Sequence, residues 1–516
     1  MSGSRMDRRH LLRLGGAFSA LGVGAPFALQ LAAAGSAAGQ SAGDYKALVC
    51  IFLFGGNDSH NTVLATDTDS WDRYFATRNT GTDPIALMPA GTPPTPVGQV
   101  NSLTGRVSAL TSPEAWGGVL PITPRTAQRI PEGTAASTRT FALHPFMGSL
   151  QTLFNQGRLA VLANVGTLIQ PTTKAQYQAR SVGIPTSLFS HNDQQSTWQS
   201  LSTEGARTGW GGRFADLTAS MNGSNTLFTA VSAAGNAVFL SGQSVVQYQL
   251  STGAQPAVVI SGQQGTTLFG SSLGPSRVRD LITDTSLTSN FAADYSGVVS
   301  RSIAAAATVN SAFTQGIVTS VPTAPAYTNP LTQRVETNTL ALQLQTVARM
   351  IAASSILGVR RQVFFVSLGG WDTHDFQNVT QPNLLAKVAH AMSYFDGALS
   401  GIGGIDRRGQ VTTFTASDFS RTLQTNGDGT DHAWGGHHFI MGGAVNGGDI
   451  YGQYPTIGVD VNGFSNPDNV GGAQIPTTSV DQYGATLGRW FGVTDSDIDV
   501  IFPRVRNFPT RYLGFV

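Results

Sequence analysis

The sequence predicts an α/β protein built on a largely parallel sheet, and three observations carry that expectation. Residues 47–54 (ALVCIFLF) form a continuous apolar run closed by Gly55-Gly56, as expected of a strand buried on both faces. Comparable runs recur at 159–165, 362–368 and 410–415. Between them lie helical patterns of a dozen or more residues, and strands alternating with such helices pair in parallel.

In chain order, the first strand at 47–54 is followed by a Thr-, Pro- and Gly-rich stretch read as a loop insertion near 67–140. His144-Pro145 opens a short helix toward Gln156, which Gly157 ends before the strand at 159–165. Helices are expected at 194–201 and 209–221. Short apolar runs separated by glycine suggest a β-rich insertion near 225–285. A long helix at 332–357 leads into the strand at 362–368, and a helix at 382–399 into the strand at 410–415. The last helix, 481–491, has Ser479 as its N-cap. No fixed-period repeat interrupts this order. Residues 44–516 read as one domain with two insertions.

Composition narrows the function. The 516 residues are 41% hydrophobic, enough for a substantial core. Charged residues are only 12%, about half the roughly 25% of an ordinary soluble domain. The formal net charge of +1, without basic blocks, excludes the electrostatic footprint of a general nucleic-acid binder. At the N-terminus, Arg8-Arg9 precedes a mildly apolar run and the small residues Ala32-Ala33-Ala34-Gly35-Ser36-Ala37-Ala38. Residues 1–43 therefore read as a twin-arginine signal peptide, with an uncleaved membrane anchor as the alternative. The expectation is a periplasmic or secreted protein that uses the twin-arginine translocase and keeps no membrane span once mature. Cys50 is the sole cysteine and reads as a buried thiol.

The polar residues gather at the expected strand ends. Gly55-Gly56-Asn57-Asp58-Ser59-His60 follows the first, Gly369-Gly370-Trp371-Asp372-Thr373-His374 a later one, and Ser417-Asp418-Phe419-Ser420-Arg421 the next. Downstream come Thr430-Asp431-His432 and His437-His438, and Ser190-His191-Asn192-Asp193 precedes a helix. Seven of the nine histidines (His60, His144, His191, His374, His432, His437, His438) lie in or beside these segments. In an open parallel sheet ligands bind outside the carboxyl ends of the strands. Asp and His converging there are ligand types for Zn²⁺ or a mixed-metal hydrolytic site. Structural readings stand beside each: Asp58 as a turn or cap aspartate, Asp372 and His374 as caps, Asp418–Arg421 as an ion pair, Ser190 as an N-cap. His437 and His438, as neighbours on a strand, should face opposite ways.

Together with Gly209-Trp210-Gly211-Gly212-Arg213 and Asp481-Gln482-Tyr483-Gly484-Ala485, these motifs resemble the exported bacterial proteins called the domain of unknown function 1501 family. That family is more distantly similar to the alkaline phosphatase and sulfatase superfamily. The resemblance implies an alkaline-phosphatase-like three-layer α/β sandwich with one or two divalent cations, Zn²⁺ or Zn²⁺/Mg²⁺, at the strand ends. Asp58, Asp372, His374, Asp418 and His432 or His437 are the ligands it implies, and Ser190 the nucleophile, with a metal-bound water as the alternative. Arg421 or Arg213 would neutralise an oxyanion. Two departures stand out: Asp372-Thr373-His374 is closer-spaced than the superfamily's pair, and Phe419 replaces the histidine expected after Asp418. The pattern that generates formylglycine is missing around both Cys50 and Ser190. The expected function is an exported metal-dependent hydrolase of phosphate or sulfate esters. The alternative is a catalytically degenerate relative that binds a glycan or envelope component.

Overall fold

The computed structural model describes residues 45–516 except 130–137, 224, 254, 255, 258, 259, 261, 264 and 462. The signal peptide expected at 1–43 lies outside the described residues. A nine-stranded sheet organises the chain: β1 (Lys46–Phe54), β2 (Leu159–Gly166), β3 (Ala230–Ser232), β4 (Tyr248–Gln249), β5 (Arg361–Gly369), β6 (Val411–Ser417), β7 (Gly436–Met441), β8 (Ile450–Tyr451) and β9 (Thr478–Ser479). Its order is β8-β2-β7-β6-β1-β5-β3-β4, with β9 beside the end of β2. Every pairing is parallel except those of β7 with β6 and β2. Small antiparallel sheets lie apart from it, the largest joining Val63–Ala65, Phe141–Leu143 and Leu120–Ile122.

The helices are α1 (Thr68–Arg78), α2 (Gly148–Asn155), α3 (His191–Ser200), α4 (Trp210–Thr218), α5 (Gly274–Ile282), α6 (Asn290–Phe313), α7 (Thr339–Ala352), α8 (Gln377–Leu399), α9 (Val480–Phe491) and α10 (Asp495–Ile501), with two shorter ones unlabelled. Strand alternation explains how they are arranged. Ala47, Val49, Ile51 and Leu53 of β1 face a core shared with α2, α7 and α8. Leu48, Cys50 and Phe52 face the opposite core, shared with α3, α4, α9 and α10. Burying each large apolar side chain contributes about 1.5–3 kcal/mol, so β1 is pinned from both sides.

Two stretches differ from the expectation. Residues 67–140 contain α1, capped by Asp67, whose carboxylate accepts from the Ser70 N–H. Residues 225–285 contribute β3 and β4 to the central sheet and then form α5. α8 also begins five residues before Pro382, which its first turns accommodate. Ser479 caps α9 through a capping box with Gln482, as its position before the helix implied. Among the described residues no helix is long and apolar enough to cross a membrane.

Candidate metal centre

The loops after β1, β5 and β6 meet because glycine lets their backbones touch. A Cβ on Gly55 (φ +118°) would lie 2.4 Å from the Asp372 nitrogen, so only glycine fits there. A β-bridge between Arg421 and His432 then folds the segment after β6 back on itself and brings His432 to the same place.

Asp372, just beyond β5, is the hub. Its Oδ2 lies 3.4 Å from His191 Nε2, and its Oδ1 lies 3.4 Å from His374 Nε2 and 3.5 Å from His432 Nε2. His374 Nε2 and His432 Nε2 are 2.8 Å apart. Ligand atoms of His191, Asp372 and His432 all fall within 4.8 Å of one another. Two histidines and a carboxylate so placed, with open positions beyond them, form a catalytic type of metal-ligand set.

The opposite edges of the imidazoles decide what their Nε2 atoms offer. His432 Nδ1 is 2.7 Å from the Phe189 carbonyl, which can only accept, so this nitrogen carries the proton. His191 Nδ1 faces Asp418 Oδ2 at 2.7 Å, and His374 Nδ1 faces Asp431 Oδ1 at 3.1 Å. With each Nδ1–H donating to oxygen, each neutral ring presents an Nε2 lone pair toward Asp372. Ligating histidines are oriented in this way in metal sites. His191 Nε2 is buried and has no hydrogen-bond partner. Two lone pairs 2.8 Å apart repel unless a cation or a shared proton sits between them. Zn²⁺ takes imidazole nitrogen at 2.0–2.1 Å, which places neighbouring ligands about 3 Å apart. The donor set therefore fits a divalent cation.

Electrostatics hold the set in place. Burial raises the Asp372 pKa, but the Arg421 hydrogen bond and charge outweigh it, so the carboxyl lies below its ordinary value. The Asp418 hydrogen bond outweighs burial at His191 and raises its pKa. Burial lowers His432, which keeps that ring neutral. Phe419 packs its ring 4.8 Å from His191 and 4.5 Å from His432 and walls the site.

The sequence-expected residues separate into those the fold gathers and those it places elsewhere. Asp372, His374 and His432 converge. Asp418 stands behind His191: its Oδ2 also accepts from Gln195 Nε2 at 2.8 Å and the Gly55 N–H at 3.2 Å, so it orients a ring. Asp58 is spoken for. Arg78 bonds both its oxygens, while the His60 N–H and Gln377 add further donors, and the Asp58 and Arg78 side chains are fully buried. His437 stacks on Tyr454 at 4.5 Å and its Nδ1 accepts from the Asn164 N–H at 3.0 Å. That bond leaves the proton on Nε2, the wrong tautomer for a ligand through that atom. His438 faces the other way, toward Trp198 and Tyr483.

Ser190 is the N-cap of α3, its Oγ accepting from the Asp193 N–H at 3.5 Å. Arg213 donates to the Val500 and Ile501 carbonyls at the end of α10. Arg421 is wholly buried, donating to the Gly55, Gly56 and Thr430 carbonyls and to Asp372. Its donors are engaged in positioning Asp372.

His191, the first residue of α3, was among the gathered histidines but not among the expected ligands. Its clue was its place directly after a serine able to cap a helix, which sets the side chain at a helix start facing the strand ends. A cavity of about 300 Å³ lies along the same helix, lined by Phe54, Asn192, Gln195, Gln199, Glu204 and Asn236 and by none of the cluster residues. Larger cavities, about 650 Å³ beside Tyr327 and His390 and about 670 Å³ beside Tyr177 and Leu188, likewise contain none of them.

Fold and site together define an α/β protein with a histidine–aspartate cluster at the carboxyl edge of its central sheet. The chain belongs to the family described as a protein of unknown function (DUF1501), which matches residues 45–502. No curated protein and no solved structure matches it.

Proposed function

We propose that this protein is an exported, metal-dependent hydrolase of phosphate or sulfate esters, with a fold related to the alkaline phosphatase and sulfatase superfamily. The observation that carries the reading is the convergence of three imidazole Nε2 lone pairs on Asp372. Helices on both faces of a mostly parallel sheet, with the cluster at its carboxyl edge, support the fold relationship. Export rests on Arg8-Arg9 and the apolar run after it.

His191, Asp372 and His432 would hold one divalent cation, with His374 beside them. Such an ion supplies Lewis acidity toward an ester oxygen and lowers the pKa of a bound water. Asp418, Asp431 and the Phe189 carbonyl fix the three rings, and Arg421 holds the carboxylate. The capping role of Ser190 favours water over its hydroxyl as the nucleophile.

One observation favours the degenerate binding protein as a second reading: Arg421 and Arg213, the two candidates for an oxyanion partner, are both bonded to protein oxygens. Elemental analysis of the purified chain, followed by aryl phosphate, phosphodiester and aryl sulfate assays, separates the cases. Near-stoichiometric metal with turnover supports the hydrolase, and metal without turnover supports the binding protein. No metal and no turnover after reconstitution with Zn²⁺, Mn²⁺ and Mg²⁺ sinks the hydrolase.

A further inference from the structure

We propose that helix α6 is a self-pairing surface on which a second copy of this chain docks, antiparallel, about a two-fold axis near Val298. The second half of α6 seats on the body of the protein through Ala305, Val309, Ala312 and Phe313. Its first half turns another apolar stripe to solvent: Phe291 is 90% exposed, Tyr295 66% and Val298 51%. Their spacing of i, i+4 and i+7 puts them on one helical face. Leu273 and Leu281 on the adjacent α5 segment and Phe269 just before it are exposed as well. Aromatic side chains bury about 150–250 Å² each. Phe291 and Tyr295 thus offer about 300–500 Å² per copy, and the exposed side chains of the neighbouring segment would extend the contact toward the roughly 800 Å² that one partner contributes to a standard interface. Isolated exposed apolar residues need no explanation, but a continuous stripe marks an interaction surface.

The charges say which partner. Asp294 and Arg301 are the only charged residues in α6, and neither has an ion-pair partner among the described residues. Seven residues apart, they share one flank of the stripe, about 10 Å from each other along the axis. Their midpoint falls between Gly297 and Val298. In an antiparallel pair about that point, each Asp294 meets the Arg301 of the other copy, so the ion pair forms twice. At the centre Val298 falls within about 1.5 Å, one residue's rise, of its own counterpart. The Arg301 guanidinium lies back along this flank, its Nη1 3.5 Å from where a Cβ on Gly297 would stand, an ordinary contact distance. A two-fold interface demands this self-complementarity, and a partner of another kind would not require it.

Sedimentation equilibrium on the full chain tests the pairing. The expected result is a reversible dimer at concentrations of about 1–50 µM. Asp294→Arg and Arg301→Asp should each weaken the dimer by about tenfold or more, because each sets like charges opposite one another twice. The doubly substituted chain, with the charges exchanged, should recover to within about threefold of the parent. Both positions are exposed, and unchanged circular dichroism and melting would show that the variants are folded. A monomer throughout that range, a dimer indifferent to the single substitutions, or a double variant that fails to recover overturns the proposal. A monomer that instead co-sediments with anionic lipid vesicles would assign the stripe to a membrane surface and overturn it equally.

Discussion

His144 and His437 lie within the protein and accept a backbone N–H at Nδ1, from Phe146 and Asn164. His191, His374 and His432 stand at the rim of the strand ends, and each turns Nδ1 toward an oxygen that accepts. The chemistry of the ring is the same in both groups, but the proton sits on opposite nitrogens. Where a backbone N–H faces Nδ1, the ring holds its proton on Nε2 and serves as a neutral packing element. Where a carboxylate or carbonyl faces Nδ1, Nε2 is left as a lone pair able to take a cation. Burial completes the contrast: it pushes His144 and His438 down to about 3 and lowers His60 and His437 well below their ordinary value.

Acid should expose this difference most strongly. The four buried rings stay neutral in the folded chain, while in the unfolded chain they take protons below about 6.5. Stability is therefore complete above that pH and is lost as pH falls from 6.5 toward 3. Each buried ring contributes up to about 1.4 kcal/mol per pH unit. Urea unfolding followed from pH 7 to pH 4 should show a steep decline, and a flat profile would mean that these rings are not held neutral.

Asp58→Ala comes next. It leaves the Arg78 guanidinium buried without its carboxylate, a loss of about 3–5 kcal/mol. The melting temperature should drop markedly, whereas Asp372→Asn, which keeps an oxygen acceptor for the buried Arg421, should melt nearer the parent. Equal losses would mean that Asp58 is not the more structural of the two aspartates.

For the rim group the readout is metal. His432→Ala should weaken Zn²⁺ binding in a competition titration by about a thousandfold, or about 4 kcal/mol. His437→Ala should leave the affinity of the folded fraction within a few-fold. Should His437→Ala cost as much as His432→Ala, the division of the histidines by tautomer fails. Asp418→Asn should have the smallest effect, about 10–100-fold in metal affinity, since it alters only the orientation and basicity of His191. No change there would remove Asp418 from the site's support.

Much of the scaffold was legible from local pattern. Apolar runs closed by glycine located β1, β2, β5 and β6, and Ser479 marked the start of α9, because strand burial and capping are written in adjacent residues. Asp372, His374 and His432 could be found from their company at strand ends. His191 was harder: the helical pattern was clear only from Gln194, and its partner Asp418 is 227 residues away. Asp58 looked like a ligand because Arg78, on a helix within a stretch read as loop, gave no local hint of reaching back to it. α6, too, was passed over.

By itself, the sequence determined the α/β class, the strand ends where polar residues collect, and the aspartates and histidines from which the cluster is drawn. Those follow from hydrophobic period, turn residues and composition, which act over a few neighbours. Only the tertiary structure decided which nitrogen of each histidine faces the cluster and which aspartate is taken by an arginine. It also decided which apolar stripe of α6 stays uncovered. A proton's position and a carboxylate's availability depend on the group across a few ångströms of space, and that group is fixed by how the loops and helices meet.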